Sequence, residues 1–362
     1  MAAVAGARQL TPPRGHSRLD EDDVRVRPGK GSRPRTRRRP AHEDAADAFV
    51  TAVDRGRYRC WTGERTVTAM KARELGRGGV VVGDRVRLAG DVSGEPGTLA
   101  RVVQVRPRTS VLRRSAEDDD PVERIIVANA DQLVIVTALA DPPPRPRLID
   151  RFLVAAYDAG IEPLLVLTKA DLAPPDELIA AYQPLGIRFV VTSRPSGAAL
   201  DELRGLLAGR ISVMVGHSGV GKSTLVNALV PEAERAVGTV SSVTGRGRHT
   251  SSSAVALPLP GEGGAGSSSS DSGSGSGWII DTPGLRSFGL ANIATDRVIS
   301  AFPEFAEAIE QCESGCSHFE AGCALDEWVA SHGGAPAAAR LDSLRRLLRS
   351  REGLDPADGS EA

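Results

Sequence analysis

ISVMVGHSGVGKSTLVNALV, residues 211–230, decides the reading of this chain. Ile211–Val215 has the length and apolar content of a buried strand. GHSGVGKST (216–224) follows as a glycine-rich turn, and LVNALV continues as an apolar helix. Strand, turn and helix in that order is the context that a phosphate-binding loop requires. Gly216, Gly219 and Gly221 let backbone N–H groups close round phosphate oxygens, with His217, Ser218 and Val220 completing the loop. Lys222 is placed to reach the β- and γ-phosphates, Ser223 offers a hydroxyl to magnesium, and Thr224 follows it in the first helical turn. The helix N-terminus adds its positive dipole.

Working outward, WIIDTPG (278–284) is an apolar strand that ends on Asp281, placed to hold magnesium or its water. Gly284 can give a backbone N–H to the γ-phosphate. Upstream, EPLLVLTKAD ends a second apolar strand on Thr168, Lys169, Ala170 and Asp171. The Asp171 carboxylate can accept two hydrogen bonds, from the N1–H and the 2-amino group of guanine, a pair that adenine does not offer. Lys169 packs along the base. Thr168 stands where Asn is more usual, which predicts one orienting hydrogen bond fewer. Ser193, after the strand IRFVV, is placed to present its backbone N–H to the guanine carbonyl oxygen. The ligand expected is therefore GTP or GDP.

An ordinary GTPase runs from the P-loop through its switches to the guanine motif. Here TKAD precedes GHSGVGKST, so the order is circularly permuted. A parallel sheet tolerates this because the site depends on geometry and not on chain order. GTVSSVTGRGRHTSSS (238–253) is the expected first switch, with Thr250 as the magnesium hydroxyl and Ser251 as its nearest competitor. Leu285 stands where many GTPases carry a water-orienting Gln, so His249 is the candidate for that catalytic role; a contact to RNA or solvent is the alternative.

The flanks differ from this core. Of the 362 residues, 1–114 carry 25 Lys/Arg against 13 Asp/Glu, and the remainder carries 20 against 33. A basic N-terminal third points to a polyanionic partner. Residues 1–42 read as a disordered basic tail, with eight Lys/Arg and no acid in 24–40. Too little there is apolar to offset the entropy of ordering. Residues 43–114 carry five short alternating strands between glycine turns, which suits a small OB-like, RNA-binding barrel. Arg55, Arg57, Arg59 and Arg65, with Tyr58 and Trp61 among them, offer charge and stacking, unless the two rings simply fill the barrel. AEDDDP (116–121) reads as a linker. Residues 122–291 alternate apolar strands with helices, the pattern of a buried, mostly parallel α/β sheet. The Gly/Ser tract 261–277 reads as a hairpin tip between AVALPLP and WIIDT. Residues 292–362 read as a helical module.

No apolar run approaches the roughly 20 residues of a bilayer span, and the start lacks the charge and apolar pattern of a signal peptide. A cytoplasmic, monomeric protein without a membrane partner is expected. Three of the four cysteines, Cys312, Cys316 and Cys323, crowd within twelve residues together with His318. Three thiolates and an imidazole are the donor set of a closed, structural tetrahedral zinc site.

TKAD, GHSGVGKSTLVNAL, GRGRHTSS, DTPGLRSFGL and CESGCSHFEAGC, in this order behind a small barrel, resemble the ribosome-small-subunit-dependent GTPase A family over roughly 43–350. The resemblance implies a GTP hydrolase that acts late in maturation of the small ribosomal subunit, binds its rRNA and is stimulated by it. The chain departs from the family pattern in three places. Both intervals flanking Cys316-x-His318 are one residue shorter, Thr168 replaces Asn, and the second switch threonine is Ser251. Two other readings compete: an RNA-binding regulator with a structural nucleotide, favoured by Leu285, and a metal-delivery GTPase using the cysteines as a transfer site.

Overall fold

The computed structural model describes residues 42, 44–76, 79–115, 123–193, 197–231, 254–260, 277–282, 293–319, 322–332 and 335–354. Its first five strands are β1 (Ala46–Asp54), β2 (Arg57–Trp61), β3 (Thr66–Lys71), β4 (Arg85–Gly90) and β5 (Ala100–Val105). They pair in the order 1-2-3-5-4 and close, because β4 returns to β1 from Ala46↔Leu88 to Phe49↔Arg85. Alternation sends Val50, Cys60, Val67, Val86, Leu88 and Val102 inside. Ala69 and Ala100, directly opposite each other on the neighbouring parallel strands β3 and β5, are both buried in the interior. Tyr58 is buried and fills the barrel, whereas Trp61 is half-buried. Burial pushes the Cys60 thiol up to about 12, so it is an inert core residue.

Two strands that the sequence pattern does not announce follow the barrel. β6 (Val111–Ser115) and β7 (Glu123–Ala128) pair antiparallel on either side of the acidic run. The stretch expected as an inter-domain linker thus connects paired strands. Charged residues within VLRRS and ERIIVA blur the alternation that would have revealed them.

The central sheet has the order β10-β9-β8-β11-β13-β12. Its strands are β8 (Gln132–Ala138), β9 (Glu162–Thr168), β10 (Arg188–Val191), β11 (Ile211–Val215), β12 (Val255–Pro258) and β13 (Trp278–Asp281). All pair in parallel except β12 against β13. Among the described residues, four helices cover it: α1 (Pro146–Ala159), α2 (Asp176–Tyr182), α3 (Ala198–Leu207) and α4 (Lys222–Leu229). The period of two sorts the apolar side chains cleanly. Leu133, Ile135, Leu165, Leu167, Val213 and Ile280 face α1 and α2. Val134, Val136, Leu164, Val166, Met214 and Ile279 face α3 and α4. Both faces are buried, which is why these strands read as continuous apolar runs.

The last part comprises α5 (Thr295–Ile299), α6 (Ala306–Ile309), α7 (Ala324–His332) and α8 (Ala335–Glu352). Helix α8 ties this part to the central domain. Leu341, Leu344, Leu347 and Leu348 enter the same core as Phe152 and Tyr182. Arg346 stacks over Tyr182 at 4.6 Å and pairs with the buried Asp150 of α1 at 3.1 Å. Arg340 covers Phe302 at 4.5 Å and donates to the Pro184 carbonyl at 2.6 Å. The barrel meets this domain at Val82 and Gly83, whose carbonyls accept from the Ala128 N–H at 3.0 Å and the Asn129 side-chain amide at 2.8 Å. Asp84, wholly buried, accepts from Arg108 Nε at 2.7 Å and Nη2 at 2.8 Å, and from the Val81 N–H at 2.8 Å. Gly83 is required beside it, since a Cβ there would lie 2.0 Å from the Ala128 carbonyl oxygen. On the other side, Ala52 of β1 pairs with Val255 of β12, and Phe49 meets Trp278 at 4.9 Å.

Candidate nucleotide and metal sites

The sheet order places the nucleotide motifs before any side chain is considered. The chain runs outward from β8 through β9 to β10, then jumps back across β8 to β11. The crevice at such a switch point, outside the carboxyl ends of the strands, is where open α/β sheets bind ligands. TKAD leaves β9 there, GHSGVGKST leaves β11, and Asp281 ends β13.

Close approach fixes the loop. A Cβ on Gly216 would stand 2.4 Å from the Val136 carbonyl oxygen, so β8 admits only glycine. Gly221 takes a left-handed φ of 91° as the N-cap of α4. Lys222, the first residue of α4, and Asp281, the last of β13, form an ion pair, so the groups expected to serve phosphate and magnesium share one spot. Ser223 and Thr224 are exposed at the first turn of α4.

At the base end, the Lys169 ammonium donates to the Asp141 carbonyl. Asp171 is exposed. The Ala170 N–H reaches the Thr192 carbonyl at 3.3 Å, which brings the exposed Ser193 beside TKAD. Thr168, at the end of β9, is buried. Its hydroxyl donates to the Val220 carbonyl at 2.6 Å, with the Thr137 carbonyl farther off at 3.3 Å. One hydroxyl proton keeps the link from the guanine motif to the P-loop; the second donor of an Asn amide is what is missing. Thr282, not singled out by sequence reasoning, is buried and donates to the Met214 carbonyl at 2.9 Å. Its position inside DTPG was the signal that could have found it. His249, Thr250, Ser251, Gly284 and Leu285 lie outside the described residues.

The Cys₃His cluster is assembled. Cys312, Cys316, His318 and Cys323 bring one donor atom each within 4.8 Å of one another. Cys312 Sγ lies 3.8 Å from Cys323 Sγ and 3.7 Å from His318 Nδ1, and Cys316 Sγ lies 3.9 Å from Cys323 Sγ. A tetrahedral ion with bonds of about 2.3 Å sets its donors roughly 3.8 Å apart, so the cluster fits a metal ion. The backbone is left-handed at Gly315 (φ 85°), between Cys312 and Cys316, and at His318 (φ 66°). The His318 N–H points to Cys316 Sγ at 3.3 Å. Burial, then the neighbouring Arg345, pushes the imidazole below its ordinary pKa, which keeps a ring lone pair free for a metal. Arg345 donates to the His318 carbonyl at 2.8 Å and pairs with Asp326 at 2.9 Å, so α8 braces the cluster from behind.

Closed barrel, permuted P-loop sheet and helical Cys₃His module together define a circularly permuted GTPase. The family model described as RsgA GTPase matches residues 105–291. The Small ribosomal subunit biogenesis GTPase RsgA of Pseudomonas aeruginosa is 40% identical over 262 residues, 70% of this chain and 72% of that protein. Its namesake in Chlorobaculum parvum is 36% identical over 314 residues, covering 84% of this chain and 94% of the relative. The crystal structure of YjeQ from Thermotoga maritima superposes with a TM-score of 0.60 at 26% identity, covering 85% of this chain and 99% of that one. The chain belongs to the RsgA GTPase family.

Proposed function

We propose that this chain hydrolyses GTP to GDP and phosphate while bound to the small ribosomal subunit, assists the late maturation of that subunit, and is stimulated by it. The observation that carries the reading is the convergence of three chain segments at one crevice. Lys222 meets Asp281 there, and Thr168 bonds the P-loop at Val220. Such a site works chiefly by placing charge and orienting groups, since phosphoryl transfer asks little covalent chemistry of the protein. Loop N–H groups of 216–221 and Lys222 would hold the phosphates, and Asp171, with the Ser193 N–H, the guanine. Ser223, Thr250 and Asp281 would hold magnesium, which neutralises developing phosphate charge when bound. His249 would orient the attacking water.

The relatives' printed name supplies the ribosomal partner. The basic barrel and N-terminal arm suit rRNA phosphates. The Cys₃His cluster suits one structural zinc per chain, since four protein donors leave no open position for transfer or catalysis. A cytoplasmic monomer fits these roles; among the described residues no helix is long and apolar enough to cross a membrane. The experiment is multiple-turnover phosphate release from GTP, with and without purified small subunits, for the wild type and Lys222→Ala. Turnover that rises with subunits and vanishes in the folded variant is expected. Absence of turnover under both conditions would sink the enzymatic reading and favour a structural nucleotide.

A further inference from the structure

Two buried threonine hydroxyls hold the phosphate loop by its two ends. Thr282, 5% exposed, directly follows Asp281 and donates to the Met214 carbonyl at 2.9 Å. Thr168, 7% exposed, opens the guanine motif and donates to the Val220 carbonyl at 2.6 Å. Only residues 215–219 lie between the two anchored carbonyls. The bond at Met214 extends the sheet by one step. The β11–β13 ladder ends at the register pair Met214↔Asp281, and beyond it the side chain of Thr282 takes over from the backbone. At the far end Val220 lies in the loop beyond β11, just before the N-cap of α4.

We propose that Thr282 is a positioning residue for hydrolysis, acting through Asp281 on the magnesium and γ-phosphate end of the site, while Thr168 acts through Val220 on the base end. The proposal rests on the nucleotide-site reading above. Asp281 and Thr282 are neighbours in the chain, so pinning Thr282 to the strand that feeds the P-loop sets the Asp281 carboxylate against Lys222. The two hydroxyls serve different parts of the nucleotide. GDP lacks the γ-phosphate, so its binding depends on the base end and the P-loop more than on the Thr282 bond. Removing either hydroxyl also leaves a backbone carbonyl short of a donor in a buried place.

The two bonds therefore have separable kinetic signatures. Thr282→Val is expected to lower kcat and raise the magnesium concentration for half-maximal rate by about five- to tenfold, with GDP affinity nearly unchanged. Thr168→Val is expected to weaken GDP and GTP alike by about the same factor. Thr282→Ser, which keeps the hydroxyl, should restore most of the rate. The measurements are fluorescent GDP and GTP titrations and single-turnover phosphate release against magnesium, on the full chain checked by circular dichroism. Should Thr282→Val fail to fold, Thr282→Ala removes the hydroxyl without the added methyl and carries the same expectations. A Thr282 variant that weakens GDP as much as Thr168→Val does, or that keeps the wild-type rate and magnesium half-point, overturns the proposal. Wild-type protein without GTP turnover would instead overturn the nucleotide-site reading.

Discussion

Replacing Arg108 by Met tests how the barrel holds its own 79–84 segment, which borders the central domain. Asp84 is wholly buried, and Arg108, a fifth exposed, supplies two of the three described hydrogen bonds to the Asp84 carboxylate. Methionine keeps the aliphatic stem and removes both donors and the charge. Breaking a buried pair by removing one partner costs about 3–5 kcal/mol. Two charge-assisted bonds at roughly 1.5–3 kcal/mol each give the same range. Because solvent already reaches part of Arg108, the low end applies, about 3 kcal/mol, or roughly a 150-fold change in the unfolding equilibrium. A melting temperature lower by about 6–12 °C follows if that loss is expressed in a cooperative unit of 150–250 residues. Urea denaturation provides the assay, followed by Trp61 fluorescence with Trp278 and Trp328 replaced by Phe in both proteins. Asp84→Asn combined with Arg108→Met should be milder than Arg108→Met alone, since the uncharged amide no longer needs a counter-ion while its oxygen can still accept from Val81. A shift below about 0.5 kcal/mol for Arg108→Met would refute the argument that this pair holds the 79–84 segment in place.

Three further outcomes are expected. Asp171→Asn should move base preference from guanine toward xanthine nucleotides, because the amide nitrogen can donate to the xanthine 2-carbonyl; competition binding reads this, and wild-type preference for ATP would defeat the assignment. Elemental analysis of purified protein should return one zinc per chain, and Cys323→Ala should lower that content and expose 293–354 to protease; full zinc in the variant would exclude Cys323 as a ligand. Deleting residues 1–42 should weaken binding to small subunits and flatten its salt dependence, by about 0.7–0.9 in log–log slope for each phosphate that the shortened chain no longer neutralises. An unchanged slope would mark the segment as a passive tail.

Much of the architecture was legible because it is local. Buried parallel strands must be apolar on both faces, so Gln132–Ala138, Glu162–Thr168 and Ile211–Val215 stand out, and the glycines of GHSGVGKST mark the turn that follows. The β6–β7 pair was not legible. Its strands carry arginine and glutamate on a partly exposed hairpin, where side-chain pattern is weak and pairing decides. Thr168 illustrates a different limit. The sequence shows a hydroxyl at the head of the guanine motif but not its partner; the Val220 carbonyl lies within its reach only because β9 and the P-loop are neighbours at one sheet end.

The residues themselves gave the expected donor sets: a lysine and hydroxyls proposed for phosphate and magnesium, a carboxylate proposed for guanine, and three thiols and an imidazole that could hold a metal. Those follow from side-chain chemistry and short spacing, which the chain carries wherever it goes. Tertiary structure alone decided how these sets are braced. The Thr282–Met214 bond spans 68 positions, the Arg108–Asp84 pair 24, and the Arg346–Asp150 pair 196. Each joins groups that sequence distance keeps apart, and each is strong because folding removes the water that would otherwise compete for the same donors.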